Sequence, residues 1–350
     1  MLERRKSEHL RINLEEDVSF PSLRTGLERY RFDHNALPEI SLEQVDTATT
    51  FLGKQLLLPL LISSITGGTA EAQRINLHLA EGAQAAGIAM GLGSLRAALE
   101  APHLADTFRI RSLAPDILLF ANLGAAQLKT DVGPDACQRA VELTQADALI
   151  VHLNPLQEAL QAKGDTDWRG VLGSIERVCQ RLDVPVVAKE VGWGVSASVA
   201  RRLADAGVSA IDVAGSGGTS WSQVEMHRAP SDHLRRLSVQ FADWGIPTAE
   251  SLTEVRAALP ELPLIASGGL RSGMDLAKVL ALGADLGGIA GPFLQAANDS
   301  ADAVADLAKE IRDVLRTAMF CLGVSDIGDL KEEAVLRPFP PLDQRQGAQS

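Results

Sequence analysis

Eight short aliphatic runs recur along this chain from residue 57 onward, each flanked by glycine or polar residues and separated by stretches with apolar residues at three- and four-residue spacing. That alternation is the pattern of repeated βα units. The runs fall at 58–63, 88–91, 117–122, 148–153, 184–190, 210–214, 264–267 and 286–290. Helices are predicted over 70–86, 134–145, 168–182, 196–206, 251–259, 272–282 and 302–319, with the segment after Arg96 the poorest helix of the series. Runs such as PVVAKE and LLLPLLIS are nearly continuous in apolar character instead of alternating, as parallel strands covered on both faces are. Eight parallel strands favour closure over an open sheet, so the expected class is α/β and the expected fold a TIM (β/α)8 barrel. The expected division is an N-terminal extension over 1–55 with order starting near Phe51, a barrel over 56–322 and a tail over 323–350. A long interruption after strand six, 217–247, holds Trp221, His227, Arg228, His233 and Trp244 and reads as a functional loop.

Composition narrows the partners. Only 4% of the 350 residues are aromatic against 46% hydrophobic, so the core is built from aliphatic side chains and alanine. A formal net charge of −12 repels polyanions, which argues against nucleic acid or an anionic membrane surface as a partner. A small anionic ligand then needs a local basic pocket. Cys137, Cys179 and Cys321 are widely spaced and form no Cys-x-x-Cys pair, which indicates neither a disulfide framework nor a zinc site. The first two fall on predicted helices and Cys321 after the last one. No apolar segment follows Glu3 to Lys6, and the longest aliphatic run, 56–62, contains a proline, so a cytoplasmic protein without a membrane span is expected.

In a parallel barrel the chemistry sits at the C-terminal strand ends, and polar residues cluster there in this chain. Strand one runs into Ser64, Ile65, Thr66 and two glycines; strand two into Ser94 and Arg96; strand three ends at Asn122. Strand four leads into His152, Asn154, Gln157 and Glu158, strand five carries Lys189 and Glu190, and strand six leads to Thr219 and Trp221. After strands seven and eight come Gly269 with Arg271, and Ala290 with Gly291. Glycines there let backbone N–H groups approach a phosphate, and a following helix N-terminus adds favourable dipole. Lys189, inside an otherwise apolar strand and without a natural partner in Glu190, suits a ligand-facing charge that neutralises a flavin pyrimidine. Trp193, Trp221 and Trp244 read as packing residues, with Trp221 a possible wall of a ligand pocket.

Taken together, RKSEHL at 5–10, residues 64–68, GLGSLR at 91–96, Asn122, HLNPLQE at 152–158, KEVGWG at 189–194, AGSGGTSW at 214–221, SGGLRSG at 267–273 and Ala290-Gly291 resemble the type 2 isopentenyl diphosphate isomerases, from Arg5 to about Phe320. The resemblance implies that Ser64, Ile65, Thr66, Ser94, Asn122, Lys189, Thr219, Gly269, Arg271, Ala290 and Gly291 bind FMN. It implies a diphosphate substrate held by Arg5, Lys6, Ser94, Arg96 and Gln157, with His152, Asn154 and Gln157 as catalytic residues and Glu158 as the Mg²⁺ ligand. Reduced FMN, NAD(P)H as its reductant and a homotetramer or homo-octamer complete the expectation. Isoleucine at position 65 departs from the methionine often found there, an apolar exchange that leaves backbone contacts to flavin intact. Arg5, Lys6, His9, Arg96 and His152 would form the positive pocket that the net charge of −12 does not provide. The barrel loops by themselves also fit an FMN-dependent 2-hydroxy acid oxidase, a nucleotide dehydrogenase or a non-catalytic phospholigand-binding barrel; the positions of the cysteines disfavour the second, which needs a loop cysteine.

Overall fold

A computed structural model describes residues 2–129, 133–332 and 335–339; most of the expected tail, from 340 on, lies outside the described residues. Eight strands form a closed barrel: β1 (Leu60–Ile62), β2 (Ala89–Gly91), β3 (Leu119–Gly124), β4 (Ala148–Leu153), β5 (Val186–Glu190), β6 (Ala210–Asp212), β7 (Leu264–Ser267) and β8 (Leu286–Ile289). Neighbours pair in parallel, and Gly287 opposite Leu60 closes the ring between β8 and β1. Each strand lies on a predicted run, except that β3 continues two residues past its run, to Gly124. Alternate side chains divide into two apolar clusters, as period-two geometry requires. Leu61, Ala89, Phe120, Ile150, Val187, Ala210, Ile265 and Leu286 fill the interior, while Leu60, Ile62, Leu119, Leu149 and Leu264 face the helices.

The helices used below are α1 (Leu2–Glu15), α2 (Ala70–Ala86), α3 (Pro155–Leu160), α4 (Trp221–Arg228), α5 (Asp232–Gln240), α6 (Gly273–Ala281), α7 (Gly291–Asp299) and α8 (Ala301–Leu322). Helix α2 shows how local chemistry sets their bounds. The Thr69 side chain accepts from Ala72 N at its start, and Gly87 ends it at φ 64, a left-handed conformation that favours glycine. None of the described helices is long and apolar enough to cross a membrane.

Four expectations change. Order begins far upstream of Phe51, because residues 2–15 form α1. The interruption at 217–247 contains two helices, α4 and α5, since Ser231 caps the second by accepting from Leu234 N. The segment after Arg96 is a five-residue helix followed by a 3-10 segment, Pro102–Phe108, where Pro102 ends regular α-helical bonding. Cys321 lies within α8, which runs one turn past the predicted end until Gly323 stops it at φ 80.

The bottom of the barrel is sealed. A hairpin, Thr49–Phe51 paired with Lys54–Leu56, inserts Phe51 and Leu56 into the interior cluster. Two arginines then clamp strand starts in the same way. Arg111 donates to the carbonyls of Ala114, Ile117 and Gln145 and to Asp147, whose Oδ2 also accepts Leu119 N at the start of β3. Arg256 donates to the carbonyls of Pro260, Leu262 and Gly283 and to Asp285, whose Oδ2 accepts Leu264 N at the start of β7. Each aspartate takes a second cation, Lys54 at 3.3 Å and Lys331 at 2.6 Å. The two clamps sit four strands apart, at equivalent places in the two halves of the barrel.

Candidate active site

At the opposite end the strand termini surround a cavity of about 610 Å³, within the range of small-ligand sites. Every residue singled out for a site role from the sequence lines it: Arg5, Lys6, Ser64, Ile65, Thr66, Ser94, Arg96, Asn122, His152, Asn154, Gln157, Glu158, Lys189, Thr219, Gly269, Arg271, Ala290 and Gly291. Helix α1 lines one wall through Arg5, Lys6, His9, Leu10 and Asn13 and packs against helices of this chain's own barrel.

One half of the cavity is made of small residues. A side chain at Gly288 would meet Ser63 Oγ at 2.6 Å, and one at Gly218 would meet the Gly269 backbone at 2.6 Å. Gly268 and Gly269 have φ of 101° and 80°, and the Ser63 hydroxyl is buried without a partner. The two helix N-termini here differ. In α6, Ser272 and Asp275 form a capping box that occupies the N–H groups of Ser272 and Asp275. Helix α7 has no side-chain cap, so its first-turn N–H groups are available to an anion. Glycine-lined space beside an uncapped helix start suits a flat ring carrying a phosphate, as FMN does.

The floor is polar and ordered. Asn122 Nδ2 donates to Ser64 Oγ at 2.9 Å, which turns Oδ1 toward His152 Nδ1 at 2.8 Å. His152 thus donates from Nδ1 and keeps Nε2 as its acceptor. Burial, reinforced by Lys189, Lys6 and Arg5, lowers its pKa to about 3. The ring is neutral at working pH, so His152 adds no positive charge to the pocket, contrary to expectation. Lys189 Nζ donates to the Glu190 carbonyl at 2.7 Å and lies 3.9 Å from Asp212 Oδ2 on β6. Glu190 turns away, as expected, and its Oε2 accepts the N–H groups of Val191, Gly192 and Trp193. Asp212 is the partner that sequence reasoning missed.

The other half is charged. From α1, Arg5 donates to Gln161 at 3.0 Å and Lys6 to the Ser94 carbonyl at 3.2 Å. Burial, with Arg5 alongside, brings the Lys6 ammonium down to about 8. Arg96 reaches Glu100 at 2.7 Å and Asp165 at 3.2 Å. On α3, Asn154 Nδ2 donates to both Gln157 Oε1 (3.0 Å) and Glu158 Oε1 (3.1 Å), and Glu158 Oε2 accepts Asp165 N at 2.7 Å. Gln157 Nε2 then donates to Glu225 Oε1 on α4 at 3.1 Å.

Glu225 is the hub that ties α1 to α4. It also contacts His9 Nε2 at 3.2 Å and Arg228 at 2.7 Å, and Arg228 reaches Glu8 at 3.2 Å. Burial works against ionisation of Glu225, but the His9 hydrogen bond and Arg228 hold its carboxyl below the usual range. His9 also meets Trp221 edge to face, with ring centroids 5.2 Å apart. Glu225, Asp165 and Gln161 were not singled out from the sequence. The available signal was the helical spacing of Trp221, Val224, Glu225 and Arg228 inside the supposed loop.

Among the described residues no group of three or more His, Cys, Asp or Glu side chains gathers to hold a metal. Glu158 is nevertheless buried, and each oxygen accepts a single hydrogen bond, which leaves lone pairs for a cation. The neighbouring Asn154 Oδ1 is buried without a partner. This donor set suits a hard ion that completes its shell with substrate oxygens and water, as Mg²⁺ does.

The sequence profile of the FMN-dependent dehydrogenases matches residues 1–102 and 129–337. An isopentenyl-diphosphate delta-isomerase from Nostoc sp. (strain PCC 7120) is 55% identical over 95% of this chain and 95% of its own length. Those of Synechococcus sp. (strain PCC 6301) and Cronobacter sakazakii are 56% and 53% identical, each over 96% of this chain and 97% of their own. Among solved structures, mandelate oxidase with benzoyl-formic acid superposes with a TM-score of 0.66 at 20% identity over 97% of this chain and 98% of that one. Lactate oxidase from Pediococcus acidilactici gives 0.66 at 18%, over 95% and 87%. At such identities the oxidases establish the barrel and nothing about the reaction, whereas the isomerases match along nearly the whole chain. The chain belongs to the FMN-dependent dehydrogenase family and, within it, to the type 2, FMN-dependent isopentenyl-diphosphate delta-isomerases.

Proposed function

We propose that this chain interconverts isopentenyl and dimethylallyl diphosphate using reduced FMN and Mg²⁺, with NAD(P)H serving only to reduce the flavin before turnover. One observation carries the reading: a single cavity joins a glycine cradle ending at the uncapped α7 to a cationic wall from α1, with Gln157 and Glu158 buried between them. Bound reduced FMN supplies an electron-rich ring face and a nitrogen able to exchange a proton, with no net redox change. Its holders would be Ser64, Ile65, Thr66, Ser94, Asn122, Thr219, Gly269, Arg271, Ala290 and Gly291, with Lys189 opposite its most negative edge. Glu158 would hold Mg²⁺, which offsets charge on the diphosphate oxygens.

The chain's own residues do the positioning. Arg5, Lys6 and Arg96 neutralise and orient the diphosphate, leaving the five-carbon unit in the inner part of the cavity. Gln157 is fixed at both ends of its amide, by Asn154 and by Glu225, so it presents one defined face to the substrate or to a proton-relaying water. His152, neutral and held by Asn122, accepts through Nε2 without adding a competing charge. Helix α1 excludes bulk water once the substrate is in place.

The test is direct. Purified protein should be yellow, and anaerobic reduction should switch on double-bond migration in isopentenyl diphosphate when Mg²⁺ is present. A colourless protein that takes up no FMN and leaves isopentenyl diphosphate unchanged under those conditions overturns the reading. Light scattering on the same sample tests the tetramer or octamer.

A further inference from the structure

We propose that Asp212 is a positioning residue that acts through Lys189, holding its ammonium at the cofactor face as a buried counter-charge from the adjacent strand. The two residues are register partners on β5 and β6. Lys189 Nζ lies 3.9 Å from Asp212 Oδ2, and that oxygen is buried with no hydrogen-bond partner of its own. The other oxygen is committed to the cradle: Asp212 Oδ1 accepts Ser267 Oγ at 2.7 Å and Ala214 N at 3.1 Å. Ala214 takes φ 38, a left-handed conformation that alanine adopts only when its surroundings impose it, and it lines the cavity. One fully buried carboxylate therefore joins the ends of β5, β6 and β7 beneath the cofactor cradle.

A carboxylate sealed among apolar strand residues is costly unless it compensates a charge. Lys189 is the cation it faces; the neighbouring acidic group, Glu190, is turned into the 191–193 backbone and does not compete. Burial pushes the Asp212 carboxyl up, and Lys189 is the largest influence opposing that rise. The inference rests on the reading that this mouth binds FMN.

The sign of one measurement separates acting through Lys189 from acting alone. Removing a negative charge near a flavin by itself makes the flavin easier to reduce. If instead Asp212 keeps the cation in place, Asp212→Asn leaves the buried ammonium with the Glu190 carbonyl but no counter-charge, so it is free to leave the cofactor face, and reduction becomes harder. The experiment is a spectroelectrochemical titration of FMN bound to the full-length protein, without substrate, for wild type, D212N, K189M and the double variant. The expected result is that D212N lowers the ratio of reduced- to oxidised-FMN affinity about tenfold, or about 30 mV for a two-electron couple, and that the same change on the K189M background produces no fall. A rise in D212N, an unchanged potential, or an equal fall in both backgrounds overturns the proposal. If D212N does not fold, recovery of folded protein in the K189M/D212N double variant supports the pairing, and no recovery overturns it. Wild-type protein that takes up no FMN defeats the flavin reading itself, and the proposal with it; wild type that binds FMN while D212N shifts the wrong way defeats only the proposal.

Discussion

The two ends of the barrel use charge in opposite ways. At the bottom, Asp147 and Asp285 each hold an arginine and a lysine, and each also accepts a strand N–H. Polar capacity there is spent on the protein itself. At the top, Ser63 Oγ and Asn154 Oδ1 are buried without hydrogen-bond partners, and Gly268 and Gly269 hold left-handed backbone open. Such groups lower stability unless a ligand satisfies them. The contrast fits the division of labour in barrels, where the N-terminal face serves stability and the C-terminal face chemistry.

The strongest way to break that contrast is to change the top and look for a loss of fold. Glu158→Gln should reduce isomerisation about 10³-fold, roughly 4 kcal/mol of barrier, while the protein stays yellow and its urea midpoint holds. Turnover at the wild-type rate with Mg²⁺ would remove Glu158 as the metal ligand.

The reciprocal change is at the bottom. Arg256→Ala strands the Pro260, Leu262 and Gly283 carbonyls and leaves Asp285 with Lys331 as its one cation beside the Leu264 N–H. Urea unfolding should show a loss of about 2–3 kcal/mol, with FMN affinity and turnover per folded molecule unchanged; Arg111→Ala should match it. A fall in FMN affinity without a fall in stability would refute the division.

A smaller effect sharpens the top half. Lys189→Ala should weaken FMN retention about tenfold, as expected for loss of one partly screened charge contact of ~1.4 kcal/mol, and should also destabilise the reduced form. Flavin fluorescence titration measures the first, and an unchanged affinity and potential would remove Lys189 from the site.

The smallest effect is in pH. The Lys6 ammonium, depressed to about 8 by burial and Arg5, is charged below that pH and neutral above it. Because kcat/KM reports groups in the free enzyme, it should decline as pH rises through about 8 by severalfold, mostly through KM. Lys6→Gln should remove this limb. His152, at about 3, should contribute no limb between pH 5 and 8.

Much of this was legible in the residues. All eight strands lie on aliphatic runs, because a strand buried on both faces has no alternative to continuous apolar character. Most of the barrel's own cavity residues were legible as polar groups at or just after the ends of those runs, whereas Arg5 and Lys6 stood out only through the RKSEHL segment. Helix α1 was not: residues 2–15 are charged and weakly patterned, and their helix packs on a surface that exists only once α4 has formed. Asp212 was missed for a related reason. One acid within an apolar run reads as an anomaly until register sets it opposite Lys189.

The sequence by itself determined the barrel and the ring of polar strand ends, since both follow from local periodicity and the fixed geometry of parallel strands. Tertiary structure alone decided which charges cancel: Lys189 with Asp212, Arg228 with Glu225, and Arg256 with Asp285. Ion pairing depends on distance and burial between residues far apart in the chain, and neither quantity exists before the chain is folded.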